Sequence, residues 1–118
     1  MSSFGGALEV VRLLLDGGAD PSQATVDAGS TSLRYASQGG HLEAARLLLK
    51  HGANVGQADN KGQPPLYTAS RSGHIEAVRL LLREGADVHS ADNRGVTALM
   101  HAAMHGYAGL VHLSLIHI

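Results

Sequence analysis

Gly40-His-Leu-Glu-Ala-Ala-Arg-Leu-Leu-Leu-Lys-His-Gly-Ala53 decides the fold, because the chain carries this pattern three times. Gly6-Ala-Leu-Glu-Val-Val-Arg-Leu-Leu-Leu-Asp-Gly-Gly-Ala19 comes before it, and Gly73-His-Ile-Glu-Ala-Val-Arg-Leu-Leu-Leu-Arg-Glu-Gly-Ala86 comes after. The leading glycines at 6, 40 and 73 stand 34 and 33 residues apart. Working outward, a second block also recurs: Thr31-Ser-Leu-Arg-Tyr-Ala36, Pro64-Pro-Leu-Tyr-Thr-Ala69 and Thr97-Ala-Leu-Met-His-Ala102. Its leucines, Leu33, Leu66 and Leu99, are 33 residues apart each time. Two patterns held in register at one period mark an array of small units, each too thin to bury its apolar face without a neighbour.

Each unit reads as a turn, a short helix, a reversal and a second helix. Asp59-Asn-Lys-Gly62 and Asp92-Asn-Arg-Gly95 are turn clusters, where glycine supplies positive φ without steric cost. Thr31 and Thr97 sit where a hydroxyl can cap the first helix, and Pro65 fits its first turn, where no N–H is needed. Glycines at 40, 73 and 106 end that helix. In the second helix, Glu9, Arg12 and Asp16, then Glu43, Arg46 and Lys50, then Glu76, Arg79 and Arg83 share one wet face. The rest of that helix is apolar over a wide arc, as packing against a partner and two neighbouring units requires. Gly18, Gly52 and Gly85 then close it as C′ residues.

This combination resembles the ankyrin repeat, whose pattern reads D-x-x-G-x-T-P-L-H-x-A-A-x-x-G-H-x-x-x-V-x-L-L-L-x-x-G-A. The resemblance spans essentially the whole chain, and it implies an all-α repeat solenoid of stacked helix-turn-helix units joined by β-turn or hairpin loops. The units divide as 1–21, holding a second helix only, then 22–54, 55–87 and a truncated 88–118.

The pattern departs from itself at both ends. Met1 to Phe4 cannot build a turn and a first helix, so natural repeats are expected to precede this stretch. Pro21 to Ala28 holds the one-residue insertion, and Val26 stands where later turns have Asp59 and Asp92, so this turn is expected to be the least regular. Near the other end, Ser114, Ile116 and Ile118 replace a core leucine, a surface charge and the turn glycine. Leu113-Ser-Leu-Ile-His-Ile118 is also what a common transposon-end sequencing adapter encodes. It reads as a non-native tail, with a degenerate closing repeat as the second reading.

Composition narrows the function. The chain has 118 residues, a net charge of −1, 3% aromatic residues and no cysteine. That excludes disulfides and thiolate metal sites, and it gives no basic field or stacking platform for nucleic acid. There is no secretory signal and no run near the ~18 apolar residues of a membrane span. The expected location is therefore intracellular, in the cytoplasm. No phosphate loop, dinucleotide fingerprint, zinc-protease motif or nucleophile elbow is present. Asp16-Gly-Gly-Ala-Asp20 lacks the ligand series of a calcium loop. His101 and His105 share a helix face at i and i+4, with His112 as a third candidate ligand, but surface and packing roles account for them better than zinc. No enzyme activity, cofactor or metal is expected.

What the resemblance implies is a scaffold that binds another protein through its turn tips and the concave face of its first helices. Carried onto this chain, the tips are Asn60, Lys61 and Gln63, then Asn93, Arg94 and Val96, and the helix positions are Arg71, Ser72, Met104 and His105. Asp27, Ala28, Ser30 and Gln38 hold the corresponding places in the weaker first turn, and Tyr67 reads as structural. Lys61, Arg71 and Arg94 are cations that stacking brings toward one another. The alternative is the recruiting segment of a larger enzyme or signalling protein, such as a ubiquitin ligase or kinase. With two and a half good repeats and no polar cap, the chain alone is expected to be marginally stable or to associate through its uncapped ends.

Overall fold

The computed structural model describes residues 3–104, with side chains from residue 6 onward. His105, Gly106, His112 and the 113–118 hexapeptide lie outside the described residues. Six helices follow one another: α1 (Ser3–Asp16), α2 (Ser32–Gly39), α3 (Leu42–Lys50), α4 (Pro65–Ser72), α5 (Ile75–Arg83) and α6 (Ala98–Met104). They form two layers. The short helices α2, α4 and α6 pack in sequence, and the longer α1, α3 and α5 pack in sequence behind them. The described residues contain no strand, only an isolated antiparallel bridge between Ala91 and Thr97. The architecture is the all-α solenoid expected from the repeat.

The core is a thin seam between the layers, made of Leu33, Ala36, Leu66 and Ala69 from the short helices against Leu15, Ala45, Leu48, Ala77, Leu80 and Leu81. Leucines fill the seam and alanines let the layers approach closely, with no large aromatic cluster between them. Thr31 caps α2 by accepting a hydrogen bond from the Arg34 amide at 3.2 Å, and Thr97 does the same for Met100 at 3.3 Å. Pro65 occupies the first turn of α4. The Gly-Ala pairs close the long helices: the amides of Ala19, Ala53 and Ala86 donate back to Leu14, Leu48 and Leu81 at 3.0, 2.9 and 2.9 Å. That is the six-to-one bond of a helix ending on a left-handed glycine.

Gly6, aligned with Gly40 and Gly73, lies inside α1, which runs through it from Ser3 to Asp16. Among the described residues no short helix precedes α1, so nothing there requires the reversal that Gly40 makes at φ 70°. One expectation is corrected, at the first turn. Thr25, not Val26, does the work of Asp59 and Asp92. The Thr25 amide donates to the Ser30 carbonyl at 2.9 Å, and its hydroxyl accepts from the Ser30 amide at 3.1 Å. The inserted residue is accommodated inside the turn, and Val26 is left fully exposed. Ser30 is buried by the same closure, so it offers nothing to a partner.

Candidate functional site

The turn tips are built around two aspartates whose side chains are buried. Asp59 Oδ1 accepts the amides of Lys61 and Gln63 at 2.9 and 3.0 Å, and its Oδ2 faces the Arg34 guanidinium at 3.5 Å. Asp92 repeats the arrangement one unit on, accepting the amides of Arg94 and Val96 at 2.8 and 3.0 Å. The Tyr67 hydroxyl donates to Asp92 Oδ2 at 3.2 Å. Amide donation, led by Val96, holds the Asp92 carboxyl below its ordinary range against the opposing effect of burial. Burial first, then Asp92, pushes the Tyr67 phenol up. Tyr67 is thus a structural strut, set edge-on against the buried His101 ring at 4.8 Å.

Successive tips are tied together. The Asn60 amide donates to the Ala28 carbonyl at 2.9 Å, and its side-chain amide donates to the Asp27 carbonyl at 2.7 Å. Asn93 makes the same pair to Lys61 and Asn60, both at 3.0 Å. The asparagines lie so close to the preceding turn that a Cβ on Gly62 would meet Asn93 Oδ1 at 2.4 Å. This ladder narrows what the predicted tip residues offer. The side chains of Asn60 and Asn93 are spent on the neighbouring turn, and Gln63 is buried. Lys61 and Arg94 project, and both line a cleft of about 440 Å³ with Asn60, Gln63, Asp92 and Asn93. Val96 is half-buried. Arg71 and Ser72, in the last turn of α4, are also half-buried and do not line that cleft, while Met104 at the end of α6 is exposed. His105 lies outside the described residues.

Asparagines placed at one repeated turn position bind the turn before them, and this pairing repeats at the same period as the leucines. The sequence matches the family description "Ankyrin repeats (3 copies)" over residues 1–92 and 56–117. The chain belongs to the ankyrin-repeat family. No curated protein matches it. Ankyrin repeats are generally protein–protein interaction modules, and the stack here has that form: a rigid row of tips with variable side chains projecting from it. No described helix is long and apolar enough to cross a membrane. Among the described residues, no three His, Asp or Glu side chains converge in a way that could hold a metal ion.

Sequence reasoning missed the inter-turn asparagine ladder. Its signal was present, since Asn60 and Asn93 follow Asp59 and Asp92 at the same period. The asparagine repeated in the later two turns serves the stack, while its neighbours Lys61 and Arg94 project from it.

Proposed function

We propose that this ankyrin-repeat chain is a protein-binding module, and that the ligand lies on the turn tips and the first-helix face. The observation that supports it most is the division of labour at the tips. The aspartates, and one side-chain N–H of each asparagine, are taken up by the scaffold, whereas Lys61 and Arg94 project beside a cleft that no described side chain fills. Arg71, Ser72 and Met104 extend this face along α4 and α6. Selection from a display library of random peptides of about twelve residues tests the reading. Ser72→Trp and Met104→Arg should abolish binding of the selected peptides. Arg46→Ala and Arg79→Ala, on the second helices, should leave it intact. Loss through the second-helix variants instead would reject the assignment.

A second reading concerns copies of this chain. The forward-facing residues of α2 (Leu33, Ser37) and of α4 (Leu66, Tyr67, Ser70) are buried, whereas their equivalents on α6 (Leu99, Met100, Ala103) are exposed. The reverse face of α2 likewise exposes Tyr35, while its equivalents Thr68 and His101 are buried. The two ends are complementary halves of one repeated interface, so end-on stacking is a heterologous association that does not close. Sedimentation velocity should show size rising with concentration, and Leu99→Glu should prevent it. A wild-type monomer at about 100 µM would remove this reading.

A further inference from the structure

The charges of the two layers are handled differently. On the second helices the three arginines nearest the helix starts have local partners: Arg12 pairs with Glu9 and Asp16, Arg46 with Glu43 at 3.6 Å, and Arg79 with Glu76 at 3.8 Å, while Lys50 and Arg83 in the last turns are exposed and make no ion pair among the described residues. On the tip face the carboxylates are taken inward. Asp59 and Asp92 are held by backbone amides and by Arg34 and Tyr67, and neither side chain reaches solvent beyond 6%. The cations point outward. Arg94 keeps contacts with Asp92 at 3.7 Å and with the Tyr67 hydroxyl, but its side chain is 74% exposed. Lys61 is exposed, and neither it nor Arg71 makes an ion pair among the described residues. The row of tips therefore runs from an acidic one, Asp27, to two basic ones, Lys61 and Arg94.

We propose that the partner of the tip face is an extended acidic protein segment, whose carboxylates enter the cleft between the 59–63 and 92–96 turns and meet Lys61 and Arg94. This rests on the reading of that face as the binding surface. Three features favour it. The cleft floor carries no unpaired carboxylate, because the saturated Asp92 belongs to the scaffold. The bond from the Asn93 amide to the Lys61 carbonyl fixes the two tip backbones side by side, so the cations start from adjacent anchor points and only their side chains order on binding. An extended chain places alternate side chains on one face about 6.6 Å apart, a spacing two long cationic side chains on adjacent tips can straddle. Asp27 opposes an acidic segment at the first tip, so the acidic part belongs over the later two.

The probes are three fluorescein-labelled peptides of about twelve residues, alternating Glu with Ser, Gln with Ser and Lys with Ser, and a dT oligonucleotide of similar length, all titrated into the 118-residue chain. The Glu-Ser peptide should bind in the micromolar to millimolar range, should shift the amides of residues 60–63 and 93–96, and should weaken as salt screens the contact. Lys61→Glu with Arg94→Glu should weaken it by about tenfold or more. Lys50→Glu with Arg83→Glu, an equal charge change on the second helices, should cost less than about twofold. Lys61→Glu alone, which leaves the Arg94–Asp92 contact in place, keeps the test valid if the double variant unfolds. The inference is overturned if the Glu-Ser peptide fails to bind, if Gln-Ser binds equally, if the second-helix pair matters more, or if the oligonucleotide binds more tightly. Should Ser72→Trp abolish binding of display-selected peptides while charge reversal at the tips does not, the protein-binding reading stands and the acidic ligand alone is rejected.

Discussion

Helices α4 and α6 carry the same pattern one repeat apart, yet only α4 is covered on both sides. Leu66 is 4% exposed between α2 and α6, and Leu33 before it is 1% exposed. Leu99, at the same register position, is 62% exposed, and no described helix lies beyond it. The residue type is identical, so the difference belongs to the neighbour. In a stacked array a leucine is a core residue only when the next unit arrives.

The sharpest way to break this comparison is to truncate the two leucines. Leu66→Ala should destabilise the chain by about 3 kcal/mol, through lost burial and a cavity that packed neighbours cannot close. Leu99→Ala should cost under about 1 kcal/mol, since most of its side chain already meets water. Urea unfolding of the two variants checks this, and equal losses would mean that α6 is covered in solution.

The turn glycines carry the same contrast at smaller scale. Gly62 has φ 77° and a prospective Cβ 2.4 Å from Asn93, whereas Gly95 has φ 83° with nothing described within 4 Å. Gly62→Ala should therefore cost about 2 kcal/mol or more, and Gly95→Ala about 1, the strain of the left-handed conformation alone. Thermal melts would show the inner variant shifted further. Capping should be less sensitive to position: Thr31→Ala should cost about 1 kcal/mol, and Thr97→Ala no more, because each loses one local bond.

The smallest expected effect is a pH response. Asp92 is held below its ordinary value of 3.8, so the folded state binds fewer protons than the unfolded one as acid is added. Its contribution is present in full above that ordinary value and is lost as pH falls through the lower folded value. At the alkaline end, Tyr67 is raised above 10.0, so stability falls as pH rises past that point. Urea midpoints of wild type and Asp92→Asn should converge on acidification. A constant gap between them would show that Asp92 carries no such linkage.

Much of the fold was legible because the repeat states it several times. The two-layer stack, the Thr31 and Thr97 caps, Pro65 in a first turn and the Gly-Ala closures all follow from local chemistry recurring at a fixed spacing. What misled was alignment where the context differs. Val26 matches Asp59 by counting, but the insertion moves the closing role to Thr25, whose hydroxyl accepts the same kind of bond. At the tips, composition alone left Asn60, Lys61, Asn93 and Arg94 equivalent. The inter-turn bonds separate them into two that hold the stack and two that project from it.

By itself, then, the sequence determined the repeating unit: where helices start and stop, which face is apolar and which family the chain belongs to. Those are properties of neighbours along the chain, written by side-chain size, φ preference and hydrogen-bonding capacity within a few residues. The tertiary structure alone decided which copy of a repeated residue is buried, and which polar side chains remain for a ligand. Both depend on contacts a full repeat away, between groups such as Asn93 and Asn60 or Tyr67 and Asp92, and the pattern within a single repeat does not contain them.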